Sequence, residues 1–236
     1  MRPVERGAIP CDKNGNVIIF KEYGDARNYL IGRLGDYCSY CEAPLFTPAI
    51  EHVQPKKEGL SPELEKDWCN FLLACTYCNS NKGDKPVNIN NLNDYFWADR
   101  DNTLRAFRYE KDRIPQIKQS LNATQQQIAQ NSLELTGLSR ERGHPKFSKK
   151  DRRCEKRNEA WGKAERAKLN LNRQPVDCMR EQIIDTATST GFWSVWMTVF
   201  QDDTDMRQRL INAFQGTCTQ CFDNNTQPIQ RMGGNI

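Results

Sequence analysis

The chain has 236 residues, 37% of them hydrophobic and 27% charged, with a mean hydropathy of −0.81. That is a polar but foldable composition, with room for one good core or two modest domains. No apolar run is long enough to span a bilayer and the opening MRPVERGAIP lacks the apolar stretch of a signal peptide, so no membrane and a cytoplasmic location are expected. The net charge of +4 is too small to argue for or against nucleic acid.

In chain order, Asn14-Gly15 before Val17-Ile18-Ile19-Phe20 predicts a small hairpin. Asp25 is placed to cap a helix over Ala26 to Gly32. Pro48 and Pro55 bracket Glu51-His52-Val53, which favours a strand end or loop, and Phe71 to Ala74 leads into a helical turn or two that end at Gly83. Residues 84–113 are mixed, with strands expected near Tyr95–Trp97 and Leu104–Tyr109. Helices are expected over 114–137, 176–190 and 205–214, with a buried apolar segment at Phe192–Phe200 and a frayed tail after Phe222. The boundary is expected between 85 and 112, giving an N-terminal region, residues 1–90, and a mostly helical region, residues 91–236.

The chemistry concentrates in the first third. Cys38-x2-Cys41 and Cys75-x2-Cys78 together supply four thiolates, enough to close one tetrahedral Zn²⁺ site. With no open coordination position, that zinc is structural and helps a small polar module to fold. Between and behind the pairs stand Glu51, His52, Asn70 and Asn79. An imidazole is suited to taking a proton from water near neutral pH. The oxygens of Glu51 and Asn79 suit Mg²⁺ or Mn²⁺, which would stabilise charge on a phosphate and its leaving oxygen. The competing view of His52 is an ordinary core or surface histidine. Its place beside a carboxylate, between two cysteine pairs, in a chain with only two histidines, argues the other way.

The strings CSYCE, IEHVQPK and WCNFLLACTYCNSNKG resemble the HNH (ββα-metal) endonuclease family in its four-cysteine form. The resemblance covers about residues 36–85. It implies an α+β fold: a zinc-stabilised ββα-metal module followed by the mostly helical C-terminal region. It makes His52 the general base, Glu51 and Asn79 the ligands of the catalytic cation, Asn70 the support of the intervening loop, and DNA the substrate. Glu51 stands where many members carry aspartate, a longer arm with the same carboxylate. The MRPVERG start and DYFWADRDNTLRAF widen the resemblance to the HNH partners of bacterial anti-phage systems that pair a nuclease with an ATPase, such as the PtuB component of Septu and retron-linked systems. An ATPase protein partner is thereby implied, since the chain has no GxxxxGK[ST] loop of its own.

Charge is distributed unevenly. Between Arg140 and Lys168, twelve Lys or Arg face five Asp or Glu, a net of +7. A helix through KKDRRCEKR would present a positive stripe to phosphates, through Lys149, Lys150, Arg152, Arg153, Lys156 and Arg157. The plainer account is a solvated helix with internal ion pairs. Of Lys56, Lys57, Lys82 and Lys85, Lys82 is the favoured phosphate contact, one turn beyond Asn79. Cys218-x2-Cys221 offers only half a second metal site, and Cys11, Cys69, Cys154 and Cys178 are expected to be buried packing residues. Two further readings stay open: a non-catalytic zinc module that binds DNA or protein, and an RNase with the same site. Two copies are a common way to cut both strands, so a homo-oligomer is also expected, although no interface signature is visible.

Overall fold

The computed structural model describes residues 1–56 and 62–236. It is an α+β protein in which a two-stranded sheet and a short helix precede a helical C-terminal region. Helix α1 (Arg27–Leu34) buries Leu30 and Leu34 and packs on the sheet. Strand β1 (Ala49–His52) begins directly after Pro48 and pairs antiparallel with β2 (Phe71–Ala74), with Glu51 opposite Leu72 and His52 opposite Phe71. Every residue of β2 is buried; α1 packs against it, and the Ser39 amide in the first knuckle donates to its Leu73 carbonyl. Cys75 then caps helix α2 (Thr76–Lys82) by accepting from the Cys78 amide, and α2 stops at Gly83.

Helix α3 (Thr103–Ala106) is a single turn. It leads into β3 (Phe107–Arg108), which pairs with β4 (Gln116–Ile117). The C-terminal region is α4 (Ala123–Thr136), α5 (Arg153–Arg173), α6 (Asp177–Thr190), α7 (Trp193–Val199) and α8 (Thr204–Ala213). Helix α5 lies against α6 and α7, while α2 lies against α4. One apolar core runs through both regions, from Leu30 and Phe71 to Trp193 and Phe214. Arg2 adds polar ties between them, donating to the carbonyls of Leu34, Phe214 and Gln215.

Several local expectations are corrected. Val17–Phe20 forms only one bridge, Cys11 to Val17, and Ile19 points to solvent. Asp25 does not cap α1; its carboxylate accepts from the Lys21 and Glu22 amides and closes the preceding 3₁₀ turn. No strand covers Tyr95–Trp97, because the Phe96 and Trp97 amides are taken by the Ser132 hydroxyl and the Asp101 carboxylate. The helix expected from 114 starts at Ala123. Pro115 lacks an N–H and holds its neighbour extended, and Asn122 with Gln125 forms a capping box. Residues after Phe222 are not frayed: buried Asn102 binds the carbonyls of Cys221 and Ile229, and its amide donates to Ile236. The apolar segment at Phe192–Phe200 is helix α7, nearly all of it buried. Cys11, Cys69 and Cys178 are exposed and Cys154 is half-buried, so they are not core packing residues.

Candidate metal centre and active site

The metal centre is assembled by the turn before β1, the end of β2 and the start of α2. Cys38, Cys41, Cys75 and Cys78 bring their sulfurs within 4.8 Å of one another. Sulfurs bound tetrahedrally at about 2.3 Å from zinc lie about 3.8 Å apart, and Cys41 Sγ and Cys75 Sγ are 3.7 Å apart. Backbone amides already point at the sulfurs, from Cys41 to Cys38 at 3.5 Å and from Cys78 to Cys75 at 3.4 Å. The Ser39 amide donates to the Leu73 carbonyl at 2.8 Å, tying the first knuckle to β2. The residues present therefore fit Zn²⁺. Hydrogen bonds from the other three thiols hold Cys75 far below the ordinary thiol pKa. Burial pushes Cys78 well up. Arg153 of α5 supplies the counter-charge: it donates to Cys78 Sγ at 2.9 Å and to the Thr136 and Gly137 carbonyls at the end of α4.

Glu51 and His52 both lie in β1 and are both buried, with separate neighbours. The Glu51 carboxylate meets the Lys82 ammonium of α2 at 2.9 Å and accepts from the Tyr40 hydroxyl at 3.4 Å. Burial raises Glu51 above the usual carboxylate range, and Lys82 opposes that rise. Lys82 also donates to the His52 carbonyl at 2.6 Å. It is 2% exposed and turned inward onto Glu51. The solvent-facing phosphate contact expected for it is corrected accordingly.

The His52 ring packs edge-on against Phe71 and Tyr23, with centroids 5.1 and 5.2 Å away. Its Nε2 lies 3.0 Å from the Glu65 carbonyl. A carbonyl can only accept, so Nε2 carries the proton and the neutral ring keeps its lone pair on Nδ1. Burial lowers the His52 pKa; the Glu65 carbonyl opposes this, while Lys56 and Lys82 reinforce it. The ring is therefore a free base at neutral pH.

Asn70 ties Gln54, just after β1, to Leu64, just before Glu65. Its side chain donates to the Gln54 and Leu64 carbonyls at 2.9 and 3.0 Å and accepts from the Gln54 amide at 2.8 Å. It thereby fixes the residue beside the carbonyl that holds His52. Asn79 is half-buried on α2, and its side chain has no hydrogen-bond partner among the described residues. Glu51 and Asn79 are hard oxygen donors of the kind Mg²⁺ or Mn²⁺ takes. The Glu51 carboxylate is already paired with Lys82.

Among the described residues the four cysteines are the one group of three or more His, Cys, Asp or Glu able to hold a metal; buried Cys218 and Cys221 gain no third such ligand. The basic segment is not one helical stripe. Arg153 and Arg157 are buried, and Arg152 and Lys156 pair with Glu155 and Glu159. These four are thus not free phosphate contacts. Lys149 and Lys150 are exposed, in turns before α5. Lys85 donates to the Glu134 and Leu135 carbonyls, Lys56 lies over the Tyr23 ring, and Lys57 lies outside the described residues. Sequence reasoning missed Tyr40, the Glu65 carbonyl and the Arg153–Cys78 bond. Only Tyr40, inside the first knuckle, sat close enough to the motif to be suspected.

Residues 38–85 match the HNH endonuclease family model. The match runs from the first zinc-type cysteine to the lysine after α2 and so contains the four cysteines with Glu51, His52, Asn70 and Asn79. No curated protein and no solved structure matches the chain. The chain thus carries an HNH-family module, with a four-cysteine cluster fitted to a metal. No helix among the described residues is long and apolar enough to cross a membrane.

Proposed function

We propose that the chain is a metal-dependent DNA endonuclease of the cytoplasm in which His52 is the general base. The observation that carries this reading is the imidazole kept neutral by burial, with Nε2 committed to the Glu65 carbonyl and Nδ1 without a hydrogen-bond partner among the described residues. Nδ1 takes a proton from a water molecule. The water oxygen bonds to phosphorus, the bond from phosphorus to the 3′ oxygen breaks, and the leaving oxygen is protonated by solvent. Asn70 is a positioning residue, acting through Gln54 and through Leu64, just before Glu65. Glu51 and Asn79 would hold Mg²⁺ or Mn²⁺, which when bound offsets charge on the phosphate and the leaving oxygen. Zn²⁺ on the four cysteines holds the knuckles, β2 and α2 in register. The wider sequence resemblance supports an ATPase partner and an anti-phage role.

The test is cleavage of supercoiled and linear DNA and of RNA by wild type and His52→Ala, with Mg²⁺ or Mn²⁺ and with EDTA, alone and with a co-expressed ATPase partner. Loss of DNA cleavage with zinc content unchanged is expected. Equal cleavage by the variant would overturn the role of His52, and cutting of RNA alone would make the enzyme an RNase.

A further inference from the structure

The segment between α4 and the Arg152 N-cap of α5, residues 137–151, is bound at several points to α2, the helix that carries Asn79. Near its start the Arg140 guanidinium binds the Asn81 side chain. At its far end the Tyr77 hydroxyl donates to the Lys150 carbonyl, and Arg153 reaches Cys78. Between those anchors the backbone folds through local turns, with the Phe147 amide donating to His144 and the Asp151 amide to Ser148. The segment is thus a strap laid along the outer side of α2.

Four cations project from it. Arg142, Lys146, Lys149 and Lys150 are all exposed, and none takes part in an ion pair among the described residues. The acids near them are Glu141, which is exposed, and Asp151, which is committed to Arg153 at 2.6 Å. The start of helix α5 differs, because Arg153 and Arg157 are buried and Lys156, with Arg152 just before the helix, pairs with Glu155 and Glu159; further along, Lys163 and Arg166 are exposed and in no ion pair among the described residues. Four of the six exposed, unpaired cations of the basic segment therefore lie on the strap, and these four are the ones beside α2.

We infer that the strap carrying Arg142, Lys146, Lys149 and Lys150 is the docking surface for the phosphate backbone of duplex DNA, holding the strand alongside α2. The inference rests on the nuclease reading for its choice of ligand. Unpaired Lys and Arg with no base-reading elements between them suit a sequence-independent backbone track. Phe147, 38% exposed, is the one exposed large apolar side chain on the strap.

The test is binding of a 20-base-pair duplex by full-length protein in a His52→Ala background, read by fluorescence anisotropy between about 50 and 300 mM salt. Changing Arg142, Lys146, Lys149 and Lys150 together to glutamine should reduce the salt slope by about 3 to 4 and weaken binding about 10³-fold at 0.1 M salt. Arg152→Gln with Lys156→Gln should change the slope by less than about 1. Zinc content and the thermal midpoint report on folding. The inference is overturned if the strap variant binds within threefold of its parent, if the α5 variant loses as much, or if the parent binds no duplex. A preference for an RNA hairpin with the same strap dependence would overturn the choice of DNA. Cleavage that depends on His52 but not on the strap would reject this surface and leave the nuclease reading intact.

Discussion

Lys82→Met removes an ammonium and keeps most of the side-chain volume, which isolates the contact with Glu51. At 2.9 Å and an effective dielectric constant of about 20, the gross attraction is about 6 kcal/mol. Desolvation of two buried ions offsets much of it, yet removing one partner of such a pair still costs about 3–5 kcal/mol. Protonation of the abandoned carboxyl limits the loss. Between the ordinary value of 4.5 and pH 7 lie about 2.5 units at about 1.36 kcal/mol each, a ceiling of about 3.4 kcal/mol. The sign follows from linkage. Without Lys82 the folded-state pKa of Glu51 rises further above its unfolded value, so the variant binds a proton that the unfolded chain does not. The stability gap between wild type and variant is therefore smallest in acid. It widens with rising pH by at most about 1.4 kcal/mol per unit, until the variant's own pKa is passed. Urea unfolding between pH 5.5 and 8, with zinc present, measures it. Adding Glu51→Gln should make the remaining gap independent of pH. A gap that stays flat across that range in the single variant would refute the reasoning.

Asn70→Ala deletes three hydrogen bonds and should cost about 2–4 kcal/mol; it should also free His52 from the Glu65 carbonyl, visible as a changed imidazole tautomer in nitrogen NMR. Arg153→Met removes the donor to Cys78 and should speed zinc transfer to a chelator by about tenfold to a hundredfold, with a shifted sulfur-to-metal band in the cobalt-substituted protein. Because the folded-state pKa of His52 lies below its ordinary 6.5, its contribution to stability is present above that value and lost as pH falls through the lowered pKa. The acid limb of DNA cleavage should likewise fall below 6.5. A limb above 6.5 would contradict the buried, neutral ring.

What the sequence made legible was whatever depends on short spacing. Two CxxC pairs specify a metal cluster because ligand spacing within a knuckle is nearly fixed, and Glu51-His52 with Asn79 follows from the same local register. Lys82 lies three residues from Asn79, which puts the two on one side of the helix. Its direction was not legible, because burial depends on β1 packing above it. The basic segment was misread for a related reason. Composition counts charges but cannot tell that Arg153 and Arg157 turn inward while Arg152 and Lys156 are neutralised by glutamates one turn away. Pro115 was a local signal that a continuous helix from 114 was wrong. The strap and the Arg153–Cys78 bond join positions far apart in sequence, and nothing in either segment announces the other.

The bond from Arg153 to Cys78 has a consequence for the order in which the protein is made. All four sulfurs have been synthesised by residue 78, but the guanidinium that balances their charge arrives 75 residues later. At about 5–20 residues per second that interval is about 4–15 s. The strap between the two, with its own contacts to α2 at Arg140 and Lys150, likewise follows only after residue 136. A nascent chain that can already gather its metal thus still lacks the surface proposed to hold DNA, and the cutting centre matures behind its own translation.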